Sequence, residues 1–289
     1  MPTANVNGVS LEYREDGTGD LVVFVHGGIS DYRIWQVQRE AIGKSYHAVS
    51  YSCRHCWPNT PAPPDIDQVV EDHAADLAAL VKELGGGPAH LVGNSFGGLI
   101  SLLTAIRSPE LVRSLTLLEP FAAPLLMSIP PKPLELLKLG LKHPSTAVAM
   151  LLFGARGLGP TSAALERGDL EKGLEIFTLA VLGKGGVAKM TDARKQQAKD
   201  NAEAFSAQLL RGVFPTPNPE AVRNITVPTL LLKGEESPAL MGLLTDRVHD
   251  LLPQAECVEI PGASHDAHVD NPTAATEAIL SFLNQQSTS

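Results

Sequence analysis

The sequence has few cysteines and no excess of basic residues. Three cysteines in 289 residues are too few for a disulfide framework in a chain of this length. The formal net charge is −9, whereas a nucleic-acid-binding protein needs a basic face. We therefore expect no nucleic acid as a partner, and the same charge argues weakly against binding to an anionic membrane surface.

Long apolar runs and a secretion signal are also missing. No apolar run reaches the roughly 20 residues that a helix needs to span a bilayer, so we expect no membrane-spanning helix. Residues 1–7 lack the basic and then apolar layout of a signal peptide. These absences predict a cytoplasmic protein with reduced thiols and no membrane partner.

A metal or redox centre is not indicated either. Residues 53–56 read CRHC, but a zinc site needs a second ligand pair and a redox pair needs a thioredoxin-like context. We interpret this segment as a loop with two incidental thiols. Four acidic residues on one predicted helix are expected to form a solvated face: Asp67, Glu71, Asp72 and Asp76. We expect neither a metal nor an organic cofactor.

Short apolar runs alternate with helical patterns in both terminal parts of the chain. The runs lie at residues 21–25, 89–92, 114–118, 229–233 and 257–260. Such alternation predicts an α/β fold with a mostly parallel central sheet flanked by helices.

The alternation stops after Pro120. The sequence that follows contains helical stretches without a convincing strand, and prolines punctuate both of its ends. We therefore predict a core domain formed by residues 1–120 and 225–289. Residues 121–224 are predicted to form a helical cap over the carboxyl edge of the sheet. Residues 285–289 are expected to be a disordered tail.

The most informative motif is Gly93-Asn94-Ser95-Phe96-Gly97, which lies between a predicted strand and a predicted helix. A serine on a tight strand-to-helix turn has a strained backbone, and neighbouring side chains would clash there, so glycines are needed on both sides. The following helix points its first N–H groups and its positive dipole end at developing negative charge. The pattern is typical of a nucleophile elbow with Ser95 as the nucleophile.

Two further loops follow predicted strands. His26-Gly27-Gly28 comes after an early strand, and residues 261–265, PGASH, come after the last one. Open α/β sheets build their sites at the carboxyl ends of strands. Together with the elbow, these motifs resemble the cap-bearing serine hydrolases of the α/β-hydrolase superfamily, over nearly the whole chain outside the insertion. The order serine, acid, histidine is that of the family.

The resemblance implies roles for several residues. Because a serine hydroxyl is a poor nucleophile, Ser95 needs a base. The family histidine directly follows the short loop after the last strand, which favours His265 over His268. The oxyanion hole is expected from the backbone N–H groups of Gly28 and Phe96.

The acid of the triad departs from the commonest pattern. Most family members carry an aspartate in a Gly-x-x-Asp sequence, and here residues 234–237 read GEES, with Ser237 at the aspartate position. Some members carry a glutamate at the end of the strand after the elbow helix, and Glu119 occupies that place. Glu119 would also be costly to bury unpaired. We predict Glu119 as the acid, with Glu235 and Glu236 as alternatives.

The resemblance implies an esterase- or lactonase-like serine hydrolase that cleaves a carboxylic ester or lactone of a small apolar molecule through an acyl-enzyme intermediate. Related enzymes cleave carbon–carbon bonds, amides or thioesters, and some members bind a ligand as receptors without turnover. These functions stay open as alternatives. Exposed cap helices often form dimer contacts in such proteins, so a homodimer is open as well.

Eight side chains are candidates for the walls of a pocket, although packing explains them equally well. Four could line its mouth: Asp31, Tyr32, Trp35 and Trp57. Four apolar residues of the insertion could form its roof: Met127, Met150, Phe153 and Phe177.

Overall fold

The computed structural model describes residues 2–85 and 87–286. The strands in this part of the chain are β1 Thr3–Val6, β2 Val9–Asp16, β3 Leu21–Val25, β4 His47–Tyr51, β5 Gln68–Val69, β6 Ala89–Asn94, β7 Val112–Leu118, β8 Gly212–Val213, β9 Thr229–Gly234 and β10 Glu256–Ile260.

The α-helices in the same part are α1 Gln36–Ile42, α2 Val70–Leu84, α3 Phe96–Arg107, α4 Pro133–Lys142, α5 Pro144–Phe153, α6 Gly159–Glu166, α7 Leu170–Lys189, α8 Asp192–Asp200, α9 Ala202–Arg211, α10 Pro219–Arg223, α11 Ala239–Leu251, α12 Ala267–Asp270 and α13 Pro272–Gln286. Short 3-10 turns lie at Tyr32–Trp35, Pro109–Leu111 and Ala123–Leu125, and a π-helical segment lies at Gly154–Leu158.

Eight strands form one sheet in the order β1-β2-β4-β3-β6-β7-β9-β10. The pairs β1–β2 and β2–β4 are antiparallel, and the other neighbouring strands are parallel. The α/β fold with a mostly parallel sheet is therefore confirmed. Because parallel strands end at a common edge, the loops after β3, β6, β7 and β10 meet there.

The core covers both faces of the sheet, because successive side chains of a strand point to opposite sides. In β3, Val22 and Phe24 pack on one face together with Trp35. Val23 and Val25 pack on the other face, in the cluster around α2 and α3. Burial on both faces explains why this strand is a continuous apolar run rather than an alternating one.

Two predictions about segment ends are wrong. The helix that was predicted to include Asp67 begins only at Val70, because Gln68–Val69 pairs in parallel with Gly212–Val213. That pairing also places a two-residue strand inside the segment expected to lack strands. At the other end of the chain α13 continues to Gln286, two residues into the expected disordered tail. Residues 287–289 of that tail lie outside the described residues.

Between β7 and β9 the described chain is helical apart from β8 and the connecting loops. We call residues 121–224 the cap, and its exact boundaries stay a prediction. The helices α4 and α5 of the cap pack against each other, and α5 also contacts α11 of the core. Helix α8 and the residue that follows it, Asn201, contact the loop after β3.

One stretch of the cap contradicts the expectation about apolar runs. Pro144–Glu166 is long and apolar enough to cross a membrane, judged by length and composition alone. It consists of α5, the π-helical segment and α6, and it contains Arg156. A single such helix is weak evidence for a membrane span, and the cytoplasmic location stays a prediction.

Candidate active site

Ser95 occupies the sharp turn between β6 and α3. Its backbone angles are φ 52° and ψ −114°, a region that residues with side chains rarely adopt. A Cβ on Gly93 would collide with the carbonyl of Gly97, and a Cβ on Gly97 would collide with the backbone at the end of β3. The turn thus has the geometry of a nucleophile elbow, and both glycines are required by close backbone approach.

Hydrogen bonds hold this turn against the end of β7. The N–H of Ser95 donates to the Leu118 carbonyl at 3.0 Å, and the N–H of Phe121 donates to the Ser95 carbonyl at 2.9 Å. The side-chain amide of Asn94 donates to the carbonyls of Leu118 at 3.3 Å and of His265 at 3.2 Å. Asn94 thereby ties together three loops, a role that the sequence pattern did not indicate.

His265 and Glu119 form a buried hydrogen-bonded pair. The Nδ1 of His265 lies 2.7 Å from Oε2 of Glu119. The second carboxylate oxygen, Oε1, accepts a hydrogen bond from the N–H of Gly234 at 2.9 Å. Glu119 itself has a positive φ of 41°, a backbone conformation that residues with side chains rarely adopt. A residue 146 positions away in sequence therefore orients the imidazole.

This pairing decides the protonation of the imidazole. Burial lowers the pKa of His265, but the hydrogen bond and the negative charge of Glu119 outweigh burial, so the pKa is raised above its ordinary value of 6.5. A carboxylate can only accept, so Nδ1 carries the proton in this pair. The Nε2 lone pair of the neutral ring is then available to accept a proton.

Ser95, Glu119 and His265 line one cavity of about 610 Å³. The cavity walls are mostly apolar and come largely from the cap. All four predicted roof residues are among them: Met127, Met150, Phe153 and Phe177. The volume suits a small organic molecule, since ligand pockets typically measure about 300–1,000 Å³.

Gly28 and Phe96 border the same cavity. Neither of their backbone N–H groups has a hydrogen-bond partner within the described residues. Phe96 is the first residue of α3, where an N–H has no partner inside the helix and lies at the positive end of the dipole. Two unpaired donors beside Ser95 are suited to bind a developing oxyanion.

His26 holds the glycine loop in place rather than facing the cavity. Its Nε2 accepts the N–H of Cys53 at 2.9 Å, so the other nitrogen, Nδ1, carries the proton and donates to the Gly27 carbonyl at 2.8 Å. Burial lowers the pKa of His26, which keeps this ring neutral. The loop that carries Gly28 is therefore fixed by a neutral histidine.

The alternative acids lie elsewhere. Glu235 is exposed, and its carboxylate accepts the N–H of Gly262 at 2.8 Å. Glu236 is exposed and pairs with Lys189 at 2.7 Å. Neither residue lines the cavity. His268 is also absent from its walls, because the ring is buried against Trp35 with centroids 4.0 Å apart.

The four residues considered for the pocket mouth do not line the cavity either. Trp35 is fully buried in the core, and Tyr32 stacks on Trp57. The buried carboxylate of Asp31 accepts hydrogen bonds from the amides of Gln197 and Asn201 in the cap, at 3.0 and 2.7 Å. Asp31 therefore fastens the cap to the loop after β3.

Arg194 and Asp266 are cavity-lining residues that no sequence pattern indicated. Both are buried, and the Nε and Nη2 atoms of Arg194 lie 3.2 and 3.1 Å from Oδ2 of Asp266. Nη1 of Arg194 donates to the Ile29 carbonyl at 3.0 Å. One guanidinium of α8 thus contacts both the loop after β3 and the residue after His265. The strongly polar sequence of α8 carried no signal of burial.

The thiols of residues 53–56 are buried in a loop. Cys53 and Cys56 are buried free thiols, and burial raises the pKa of Cys53 to about 12, which makes it unreactive.

The acidic face of α2 was predicted to be solvated, which is wrong for Asp76. Its side chain is buried and pairs with Arg54 at 2.7 Å.

Comparison with known proteins identifies the family of the chain. Residues 22–279 match the model of the alpha/beta hydrolase family. The chain belongs to the α/β-hydrolase family. Among curated relatives of this α/β-hydrolase is 2-(acetamidomethylene)succinate hydrolase from Mesorhizobium japonicum, which is 26% identical over 97% of this chain and 94% of its own length.

Solved structures show the same fold at lower identity. An esterase from Thermogutta terrifontis superimposes with a TM-score of 0.77 at 20% identity, covering 99% of this α/β-hydrolase and 98% of the esterase. An enol-lactonase from Burkholderia xenovorans also superimposes with a TM-score of 0.77, at 18% identity. The match covers 98% of this chain and 100% of the lactonase. These likenesses support the fold, whereas function must be argued from the site.

Proposed function

We propose that this α/β-hydrolase is a serine hydrolase that cleaves a carboxylic ester or a lactone through an acyl-enzyme intermediate. The observation that carries the proposal is the buried His265–Glu119 hydrogen bond at the wall of the cavity that contains Ser95. A strained serine, an oriented imidazole and a buried carboxylate are the parts of a nucleophilic triad.

In the first half-reaction His265 acts as the general base. Its Nε2 takes the hydroxyl proton of Ser95 while Oγ bonds to the carbonyl carbon of the substrate. The carbonyl oxygen becomes an oxyanion that the N–H groups of Gly28 and Phe96 stabilise. When the tetrahedral intermediate collapses, the protonated His265 gives its proton to the leaving alkoxide. The products are an alcohol and an acyl group on Ser95.

In the second half-reaction water replaces the alcohol. His265 takes a proton from the water molecule as the water oxygen attacks the acyl carbon. The N–H groups of Gly28 and Phe96 again stabilise the oxyanion. Collapse returns the proton from His265 to Oγ of Ser95 and releases the carboxylic acid. Glu119 keeps its negative charge throughout and stabilises each imidazolium that forms. A lactone reacts in the same way, with acid and alcohol remaining in one molecule.

The cavity indicates the kind of acyl or ring group that would fit. Its apolar walls and its volume of about 610 Å³ favour a medium-sized apolar group over a charged polymer. Two charged residues of its lining, Arg194 and Asp266, neutralise each other. We therefore expect activity toward uncharged aryl or alkyl esters.

The test combines turnover with labelling. The wild-type protein is expected to hydrolyse p-nitrophenyl butyrate over many cycles and to react with a fluorophosphonate at Ser95. The variant Ser95→Ala should lose both properties. Ser30→Ala is the matched control, because Ser30 is a buried serine on the same cavity wall whose hydroxyl has no hydrogen-bond partner among the described residues. It should keep both.

Two results would contradict the proposal. Undiminished hydrolysis by a folded Ser95→Ala variant would show that another group does the chemistry. Ligand-induced stabilisation of the wild-type protein, without turnover of any ester, lactone, amide or thioester, would indicate a receptor instead. Turnover of amides or thioesters alone would keep the triad and change the substrate class.

A further inference from the structure

The hairpin of α4 and α5 exposes an unusual number of large apolar side chains. Six of the twelve exposed large hydrophobic residues found in the described chain lie within this hairpin, and they are 44–78% exposed. We define the α4–α5 surface by these six residues: Leu134, Leu137, Leu141, Val148, Leu151 and Leu152. Such a concentration is uncommon on the free surface of a monomer and marks an interaction site.

Helical spacing places these residues on continuous faces. Leu134, Leu137 and Leu141 follow an i, i+3, i+7 pattern on α4, so they share one side of that helix. The opposite side packs inward, where Leu139 joins Met127 and Ala147 in a small buried cluster. Both helices are therefore apolar on the outer side as well as on the side that the fold already buries.

The charge around this surface is opposite to that of the whole chain. Residues 121–165 contain four basic residues and one acidic residue, a net charge of +3 in a chain of net charge −9. Lys138, Lys142 and Arg156 are exposed, and no ion pair involves them in the part of the chain that the structure describes. The basic groups therefore keep their charge available for an external anion.

Acidic groups on and next to the hairpin are already occupied. The carboxylate of Glu135 accepts the backbone N–H groups of Ser128 and Lys132 at 3.1 and 3.0 Å. On the neighbouring helix α11, Asp250 pairs with Arg247 at 2.7 Å. These contacts leave the lysines of α4 as the dominant free charges beside the leucines.

The α4–α5 surface is also continuous with the wall of the cavity. Leu151 is 56% exposed and borders the cavity at the same time. Leu136 and Met150, on the same two helices, line the cavity from within. An apolar molecule could therefore pass from the α4–α5 surface to the cavity along side chains of one hairpin.

We propose that the α4–α5 surface docks on an anionic lipid bilayer. The leucines enter the boundary between headgroups and acyl chains, and Lys138 and Lys142 contact the anionic headgroups. A second copy of the chain fits less well, because a two-fold contact through this surface would bring the unpaired lysines of both copies together. The local net charge of +3 over residues 121–165 attracts anionic headgroups although the whole chain has a net charge of −9.

Delivery of an apolar ester from the bilayer to Ser95 would follow from this placement, and that step rests on the function proposed above. Docking itself does not need catalysis. The binding experiments therefore use the Ser95→Ala variant as well as the wild-type protein, and equal vesicle binding by both keeps the two claims separate.

The experiment measures co-sedimentation with vesicles of phosphatidylcholine alone or mixed with phosphatidylglycerol. Binding is expected to require phosphatidylglycerol and to weaken with added salt. Lys138→Gln with Lys142→Gln should lower the partition coefficient about 25-fold, at about fivefold for each lysine. Leu137→Gln with Leu141→Gln should lower it by about tenfold or more for each leucine.

Leu179→Gln is the matched control, because Leu179 is a 45% exposed leucine on another cap helix, α7. It should bind vesicles like the wild-type protein. All three variants should keep wild-type hydrolysis of dissolved p-nitrophenyl butyrate, which shows that they are folded.

Absence of binding to anionic vesicles would overturn the proposal, and so would equal losses in the control and in the Leu137/Leu141 variant. A dimer that the Leu137/Leu141 substitutions dissociate, without any vesicle binding, would assign the surface to a second copy instead.

Discussion

Arg194 of the cap and Asp266 of the core form a buried ion pair immediately next to His265 in the chain. The same guanidinium donates to the carbonyl of Ile29, one residue after the proposed oxyanion donor Gly28. Because the cap supplies the arginine, the geometry of the loops that carry Gly28 and His265 depends on the cap being in place.

Replacing Arg194 by Met should therefore destabilise the fold. The substitution leaves the carboxylate of Asp266 buried without its partner, and such a loss typically costs about 3–5 kcal/mol. Urea unfolding measures the change. The double variant R194M/D266N should recover part of the loss, because it removes the unpaired charge. Equal stability of R194M and the wild-type protein would show that the pair is solvated in solution.

Glu119→Gln tests the acid of the triad through the pH profile. Because Glu119 raises the pKa of His265 above 6.5, the acid limb of kcat/KM for the wild-type enzyme should lie above pH 6.5. Removing the negative charge lowers that pKa, so the acid limb should move to lower pH. The rate should also fall by about 10⁴-fold, because an amide favours the wrong imidazole tautomer.

Glu235→Gln and Glu236→Gln are matched controls for this experiment, since both carboxylates are exposed and lie outside the cavity. Each should retain wild-type rates and the wild-type profile. A large loss in either of them, with Glu119→Gln active, would reassign the acid.

His268 should make the protein less stable in mild acid. Burial lowers its pKa to about 4, while the unfolded chain titrates near 6.5. Below pH 6.5 the imidazole is therefore protonated in the unfolded state but not in the folded state. The free energy of unfolding then falls as the pH is lowered to about 4. The loss from this group is on the order of 3 kcal/mol. His268→Gln should reduce the slope of the unfolding free energy against pH between about pH 4 and 6.5, and an unchanged slope would contradict this assignment.

Two glycine substitutions should have opposite effects. Gly97→Ala forces a Cβ into the backbone at the end of β3, and overpacking of this kind costs about 1–3 kcal/mol or more. Gly242 lies inside α11, and a Cβ added there would meet no atom within 4 Å, so Gly242→Ala should stabilise by about 0.5–1 kcal/mol. Thermal unfolding of both variants checks the pair. Tolerance of Gly97→Ala without loss of stability would contradict the elbow packing.

The parts of the site that could be predicted from sequence are those with local signals. Ser95 lies in a five-residue pattern between a strand and a helix, and Gly28 and His265 each follow a predicted strand. Glu119 could be chosen because some members of the family that the chain resembles carry a glutamate at that strand end, and because a carboxylate after an apolar strand needs a partner. The structure brings it within 2.7 Å of His265.

The parts that could not be predicted depend on contacts between distant segments. Arg194 lies in a strongly polar helix, and it is buried only because α8 lies over the loop after β3. Asp76 is buried because Arg54, from another loop, pairs with it. The start of α2 is set by pairing with a distant segment of the chain, Gly212–Val213. No local pattern contains that information.

The most direct test of the central claim is to trap the acyl group. The enzyme is mixed with excess p-nitrophenyl butyrate, quenched in acid within the first turnovers, and digested for peptide mass spectrometry. We expect one butyryl group on the peptide that contains Ser95, together with a burst of p-nitrophenol, and neither signal in Ser95→Ala. Sustained turnover with no butyryl group on Ser95 at any quench time, and with full activity in Ser95→Ala, would contradict the account.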